Sequence, residues 1–169
     1  VPGLAVAIVK DGRVLLARAY GVRELGRPEP ATTRTLFAVG ATTKAMTAAA
    51  LAMLVDEGKL GWDDPVVRHL PGFAVGDPWL TPQVTVRDLL THRAGMPNAD
   101  FLWYRTGASP AEVLKRFALV RPESSPRSRF QYQNVMYHAA GEVIAAVSGV
   151  HWADFVKQRI FVPLGMGDS

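Results

Sequence analysis

One lysine interrupts a stretch of small and apolar residues at 40–48, GATTKAMTA, where a helix is predicted to begin. A lysine near a buried helix is costly unless it is used, because burial favours the neutral amine, which can accept a proton. Such a base typically serves a nucleophile within hydrogen-bond reach. Residue 41 lies one turn before Lys44 on the same helix face, yet it is alanine, and Thr42 and Thr43 point away. The pattern predicts a base beside a position that lacks a nucleophile.

Other residues that could do chemistry favour structural roles. Asp63 and Asp64 form a carboxylate pair, but they precede a proline, which indicates a solvated turn or cap. His92, in the segment LLTHRAGMP, is a tempting base, yet we interpret it as structural and bonded to nearby backbone. Trp103 and Tyr104 either line a substrate cleft or are ordinary core or surface aromatics.

Composition excludes several classes of site. The chain has no cysteine, which excludes disulfides, thiolate catalysis and zinc-thiolate centres, and its 4 histidines lack close metal spacing, so we expect no metal and no cofactor. The net charge is +4, but the arginines form no dense block, which favours a solvated basic surface over nucleic-acid binding. No stretch approaches the roughly 20 apolar residues of a membrane-spanning helix.

A hairpin and a helix are predicted to position the first motif. Asp11-Gly12 separates two apolar runs, which predicts antiparallel strands over 4–10 and 13–20 joined by a type I′ turn. Because the runs are apolar at nearly every position, we expect both faces of the hairpin to be buried. The alanine-rich segment 42–57 predicts a central helix, apolar all round, that ends at Gly58.

Further helices follow, separated by loops over 26–35, 61–73 and around RPESSPRSRF. Thr85 with Asp88 marks the start of one helix, and Ser109 with Pro110 and Glu112 marks the start of the next. A helix over 134–148 is predicted to begin at Asn134 and to end before Gly149, and the last helix is predicted to be broken by Pro163. Two strands alone make a marginal sheet, and the chain opens without methionine or leader. We therefore expect a processed or trimmed piece that lacks a C-terminal part.

Four ordered segments resemble the serine β-lactamase-like family, which includes class C β-lactamases, D-alanyl-D-alanine carboxypeptidases, D-aminopeptidases and related esterases. They are residues 36–73, 85–97 (TVRDLLTHRAGMP), 130–149 (FQYQNVMYHAAGEVIAAVSG) and 162–169 (VPLGMGDS). The resemblance runs from about residue 3 to 169. It implies an α+β fold of the β-lactamase/transpeptidase type, with an antiparallel sheet flanked by helices and a mostly helical subdomain. We expect 1–169 to be the N-terminal portion of a single such domain, with 1–22 as a hairpin of the sheet and about 42–169 as the central helix and helical subdomain.

The resemblance also implies roles for site residues. The first family motif, Ser-x-x-Lys, gives a nucleophilic serine and a lysine base, and here it places Ala41 at the nucleophile position and Lys44 at the base. The second motif, Tyr-x-Asn, matches Tyr132 and Asn134, which implies that Tyr132 shares proton transfer and that Asn134 holds the substrate amide or Lys44. The third motif, on a late strand, would lie beyond residue 169. In relatives a Pro-Gly turn usually precedes the second motif, whereas this chain has SSPRSRF there. We expect this difference to alter the geometry of the loop and not the identity of the catalytic residues.

The expected parent activity is acyl transfer to serine and hydrolysis of an amide, ester or β-lactam, inactive as written because of Ala41. The expected ligand is a small-molecule or peptide substrate, and association with a missing C-terminal segment is a further expectation. An engineered Ser→Ala change and a natural pseudoenzyme that binds a ligand or partner both remain open. A purely structural helical module is a third reading, and it predicts no coupling between Lys44 and Tyr132. Family members are often exported, so export is weakly favoured.

Overall fold

The computed structural model describes all 169 residues, which form two compact units. The first comprises Val1–Gly40 with Met166–Ser169, and the second comprises Ala41–Gly165. The chain is α+β, with one small antiparallel sheet in the first unit and the α-helices in the second. The sequence placed the change from hairpin to helical part at almost the same residue, while the assignment of both parts to one domain stays a prediction.

The first unit is built on the predicted hairpin. Strand β1 (Gly3–Lys10) pairs with β2 (Arg13–Gly21), in a register that runs from Gly3 opposite Gly21 to Lys10 opposite Arg13. Asp11 and Gly12 have φ of 50° and 71°, so both turn residues are left-handed, as a type I′ turn requires. The predicted strands and turn are therefore confirmed.

The expectation that both hairpin faces are buried is wrong for this chain. The sheet has two strands, and no third strand pairs with either of them. Large apolar side chains are consequently exposed along both strands: Leu4, Ile8, Val9, Val14, Leu15 and Tyr20. An apolar run gives the hydrophobicity of a strand but not the neighbours that would cover it.

The second unit contains six α-helices. They are α1 (Thr43–Asp56), α2 (Val66–His69), α3 (Val86–Thr91), α4 (Pro110–Phe117), α5 (Val135–Ser148) and α6 (Trp152–Val156), and a π-helical segment, Lys157–Phe161, extends α6 towards Pro163. Short 3₁₀ turns occur at Gly40–Thr42, Thr81–Gln83 and Asp100–Leu102. Helix α2 lies within a stretch predicted as loop. No helix of this chain has the length and apolarity needed to cross a bilayer.

Helix α5 is the centre of the helical core described here. The expectation that the first helix is buried all round is wrong for this chain, while its place as the central helix of the domain stays a prediction. Helix α5 packs against α1, α2, α3, α4 and α6. Its fully buried face is Val135, Met136, Ala139, Ala140, Val143 and Ile144. Helix α1 is fully buried along one face only, and its other residues are partly buried or exposed: the buried residues are Thr47, Ala50, Leu51 and Leu54.

The predicted helix starts are confirmed for α3 and α4. Thr85 Oγ1 accepts from the Asp88 amide while Asp88 Oδ2 accepts from the Thr85 amide, a complete capping box. Ser109 Oγ accepts from the Glu112 amide at 3.2 Å. These caps satisfy amides that a helix leaves without partners, and they fix where α3 begins.

The loop before the second motif is fastened to the end of α3. Gly95 has φ of 79°, and its carbonyl accepts from the Glu123 amide at 2.9 Å. The guanidinium of Arg127 donates to buried Asp88 at 2.6 Å, which ties the same loop to the capping box. The departure from a Pro-Gly turn at SSPRSRF is thus accommodated by an arginine anchor.

Gly95 is predicted to be required for this fastening. A Cβ at residue 95 would collide with the Ser124 carbonyl oxygen, and alanine is also strained at this φ. We expect Gly95→Ala to lower the free energy of unfolding by at least about 2 kcal/mol, measured by urea denaturation. Gly72→Ala, in open space without positive φ, is the matched control and should change stability by less than about 0.5 kcal/mol. Equal effects of the two variants would contradict this account.

Candidate active site

Lys44 stands in the first turn of α1, immediately after the 3₁₀ turn that contains Ala41. The side chain is partly buried, whereas Ala41 is exposed. The change from a 3₁₀ turn to an α-helix occurs between these two residues. Position 41 is therefore accessible from solvent, three residues before the partly buried Lys44.

Two hydrogen bonds hold Lys44. Its Nζ donates to the Tyr132 hydroxyl at 2.8 Å and to Asn134 Oδ1 at 2.6 Å. Tyr132 and Asn134 lie just before the first residue of α5, Val135, so the contacts join the beginnings of two packed helices. The structure brings Lys44 to two residues that lie 88 and 90 positions later in the sequence. The reading as a structural module without coupling between Lys44 and Tyr132 is therefore wrong.

Aromatic rings surround the same ammonium. Lys44 Nζ lies 4.9 Å from the ring centroid of Tyr132 and 5.0 Å from that of Tyr137. Both distances fall within the range of cation–π attraction. The Tyr137 hydroxyl donates to the Leu90 carbonyl at 2.9 Å, and burial raises the pKa of Tyr137, so this phenol serves as a neutral donor. Nothing in the sequence pattern had indicated Tyr137.

His92 has the structural role that the sequence suggested. It ends α3 with φ of 56°, and its Nδ1 accepts from the Gln133 amide at 3.0 Å. Its ring stacks on Tyr132 with centroids 4.6 Å apart. Burial, together with the positive charge of Lys44, lowers the pKa of His92 and keeps the ring neutral at pH 7. The imidazole thereby supports the face of Tyr132 and fixes the backbone beside it.

The side chain of Asn134 does not cap α5, although the residue occupies the N-cap position. Gln133 takes over that task, since its Oε1 accepts from the Val135 amide at 2.9 Å and its Nε2 donates to the Pro97 carbonyl. Asn134 is consequently free of the helix end, and its Nδ2 donates to Asp100 Oδ1 at 2.9 Å. The amide therefore bridges a cation on one side and a carboxylate on the other.

Asp100 is a site residue that the sequence did not reveal. Its Oδ1 also accepts from Trp103 Nε1 at 3.0 Å, and its Oδ2 accepts from Asn98 Nδ2 at 3.2 Å. Burial by itself would raise the pKa of Asp100, but the hydrogen bonds from Asn134, Asn98 and Trp103, with the charge of Lys44, outweigh it and lower the pKa. The turn Asn98-Ala99-Asp100 is readable as an Asx signature. The link to Asn134 is not, because it spans 34 residues.

The other candidates lie elsewhere. Asp63 pairs with Arg87 at 2.9 Å, whereas Asp64 accepts from the Gly61 amide and bonds His69, so the two carboxylates do not share a site. Trp103 contacts the site through Asp100, while Tyr104 is exposed. No three histidine, aspartate or glutamate side chains lie together as a group able to hold a metal ion.

The whole chain, residues 1–169, matches the profile of the family described as Beta-lactamase. The chain belongs to the beta-lactamase family. Among curated relatives, a penicillin-binding protein 4 of Amycolatopsis lactamdurans is 35% identical, with 100% of this chain covering 44% of that protein. An unguisins hydrolase, ungD', of Aspergillus campestris is 34% identical, with 100% of this chain covering 33% of that protein.

Solved structures of this beta-lactamase-family fold agree with the architecture described above. A penicillin-binding protein homologue from Pyrococcus abyssi, described as octameric, superposes with a TM-score of 0.84 at 33% identity, over 99% of this chain and 40% of that one. The D-amino acid amidase from Ochrobactrum anthropi SV3 gives a TM-score of 0.83 at 28% identity, over 98% of this chain and 45% of that one. The chain thus spans less than half the length of these relatives.

Histidine 138, one turn after Asn134 on α5, gives a pH prediction. Burial lowers the pKa of His138 from its ordinary 6.5, and Lys44 acts in the same direction against the opposing charges of Glu142 and Asp100. The imidazole of His138 therefore binds a proton near pH 6.5 in the unfolded chain but only at lower pH in the folded chain. The contribution of neutral His138 to the free energy of unfolding is fully present above the unfolded-state pKa and is lost as the pH falls towards the lower pKa of the folded state.

We expect the free energy of unfolding to decrease between pH 7.5 and 5.5, and His138→Gln to make that decrease shallower, measured by urea denaturation at each pH. His92 contributes in the same sense, so part of the slope will remain. Ala111→Gln, at an exposed position that carries no titratable group, is the control and should leave the slope unchanged. An identical slope for His138→Gln and the unsubstituted chain would refute the prediction.

Proposed function

We propose that this chain carries the nucleophile position and the proton-transfer pair of a serine hydrolase of the beta-lactamase family. In this proposal position 41 is the site of acyl transfer, Lys44 and Tyr132 move the proton, and Asn134 orients Lys44. The observation that carries it is the pair of hydrogen bonds from Lys44 Nζ, at 2.8 Å to Tyr132 and 2.6 Å to Asn134.

The proposed chemistry follows from that geometry. An ammonium within hydrogen-bond distance stabilises the anionic form of a phenol, so Tyr132 beside Lys44 is suited to accept a proton. With serine at 41, the hydroxyl proton passes to this pair as the Oγ–C bond forms. The same proton then passes to the leaving amine or alcohol as the C–N or C–O bond breaks.

The substrate class is an acyl compound, namely an amide, an ester or a β-lactam. The names of relatives, among them a D-amino acid amidase, a D-alanine carboxypeptidase and penicillin-binding proteins, support the amide and β-lactam members of this class. The backbone amide of position 41 is proposed as one donor to the developing oxyanion. The second hydrogen-bond donor to the oxyanion and the third family motif are proposed to come from a C-terminal segment that associates with residues 1–169.

As written, the protein is proposed not to form an acyl-enzyme, because alanine has no nucleophilic atom. Ala41 itself is the observation that favours a second candidate, a natural pseudoenzyme that binds the same class of ligand without chemistry. The two candidates share the residues around Lys44 and differ at position 41. Sequencing the natural gene separates them, since a serine codon at 41 supports the hydrolase and an alanine codon supports the binding protein.

Restoring the nucleophile tests the proposal. We expect the full-length protein with Ala41→Ser to gain a covalent adduct at residue 41 when it is incubated with a penicillin or with p-nitrophenyl acetate. Intact-protein mass spectrometry followed by peptide mapping measures the adduct. The unsubstituted protein should show none, because the acceptor oxygen is absent.

Two second substitutions in the Ala41→Ser protein test the roles of the pair. Removing a positioned acid or base typically costs 10²–10⁴-fold, so Lys44→Ala and Tyr132→Phe should each slow acylation by at least about 100-fold. Lys115→Ala, an exposed lysine on α4, is the matched control and should acylate at the unaltered rate. A folded Ala41→Ser protein that stays unlabelled by both reagents would overturn the hydrolase proposal and favour the binding protein.

A further inference from the structure

Asn134 has two chemically different ends, and the structure gives each end a different charged partner. Its Oδ1 accepts from Lys44 Nζ at 2.6 Å, and its Nδ2 donates to Asp100 Oδ1 at 2.9 Å. A carboxylate accepts hydrogen bonds and cannot donate them, whereas an ammonium donates and cannot accept. The reverse orientation of the amide would therefore place two donors together at Lys44 and two acceptors together at Asp100.

Asp100 is itself held firmly. Trp103 Nε1 donates to Oδ1 at 3.0 Å, Asn98 Nδ2 donates to Oδ2 at 3.2 Å, and the Asp100 amide donates to Asn98 Oδ1 at 3.0 Å. The residue also begins the 3₁₀ turn Asp100–Leu102, and its carbonyl accepts from the amides of Trp103 and Tyr104. The carboxylate thus has a fixed position set by its own loop, independently of Lys44.

The helix end leaves Asn134 available for this arrangement. Asparagine at an N-cap normally turns its side chain back onto the helix amides. Here Gln133 Oε1 accepts from the Val135 amide instead, and Gln133 is almost completely buried. The local competition that would draw Asn134 away from Lys44 is therefore already satisfied by its neighbour.

From these contacts we infer that Asp100 is a positioning residue, which acts through Asn134 to hold the Lys44 ammonium beside Tyr132 and position 41. The inference rests on the proposed function for its kinetic consequence, but the orientation of the Asn134 amide is a property of the folded chain alone. Asp100 touches no reacting atom in this scheme. Its role is to fix which end of an amide faces the lysine.

The orientation is tested without any chemistry. In ¹⁵N-labelled protein, the side-chain NH₂ signals of Asn134 are identified by their loss in Asn134→Asp. We expect Asp100→Asn and Asp100→Ala to shift these signals and to speed their exchange with solvent at least about tenfold. Asp56→Asn removes the same charge at the exposed end of α1 and should leave them unchanged. Unchanged Asn134 signals in both Asp100 variants would overturn the inference.

The consequence for the reaction is measured in the Ala41→Ser protein. We expect Asp100→Ala to lower the acylation rate constant by about 10- to 100-fold, the range seen when a supporting hydrogen-bond partner is removed from a functional site. Non-covalent affinity for the penicillin, measured in the protein that keeps Ala41, should change less than about threefold. The acylation rate constant of Asp100→Asn should lie between those of Asp100→Ala and of the protein that keeps Asp100. Thermal melts confirm that each variant is folded.

The two arms separate the possible failures. An Ala41→Ser protein that is never acylated counts against the proposed function, and the NMR result then decides the role of Asp100 by itself. Normal acylation in a folded Asp100→Ala protein would show that Lys44 needs no such support, and would overturn the inference even if the Asn134 signals moved. Equal losses of affinity and rate would indicate a structural role for Asp100 and would also overturn it.

Discussion

The hydrogen bonds of one ammonium group tie together the two helices on which the site depends. Lys44 lies in the first turn of α1, and its partners Tyr132 and Asn134 lie just before α5, the helix that touches every other helix of its unit. A partly buried cation must have partners to compensate for lost water, so the ends of α1 and α5 have to arrive within about 3 Å of one ammonium. Packing of the two helix faces brings the ends close, and the polar contacts select one arrangement.

The remaining structure around the site can be understood as support for those partners. His92 ends α3 and stacks on Tyr132, while its Nδ1 fixes the backbone at Gln133. The loop that leads to Tyr132 is fastened by Gly95 and by the Arg127–Asp88 pair, so the capping box of α3 and the approach to the second motif share one carboxylate. Each support is itself buried or multiply bonded, which is how a site is held within narrow limits.

The sequence predicted local structure well because local rules decide it. Asp11-Gly12 specified the hairpin turn, and Thr85 and Asp88 specified a helix start. Lys44, Tyr132 and Asn134, which the structure brings together, were indicated as a set by the family resemblance and not by a local rule. Burial was predicted poorly, since apolar runs in the hairpin and in α1 say nothing about which neighbours cover them. Asp100 and Tyr137 could not be predicted, because their roles come from side chains that meet only after α5 has packed against the rest.

The most direct measurement of the central claim is a double-mutant cycle on the free energy of unfolding, using Lys44→Met, Asn134→Ala and the combined variant. Residues in one hydrogen-bonded network have coupling energies of about 0.5–3 kcal/mol, whereas distant residues add within about 0.5 kcal/mol. The account predicts a coupling of at least about 1 kcal/mol between residues 44 and 134. Additive effects of the two substitutions would contradict it, because they would mean that Lys44 and Asn134 do not hold each other in the folded protein.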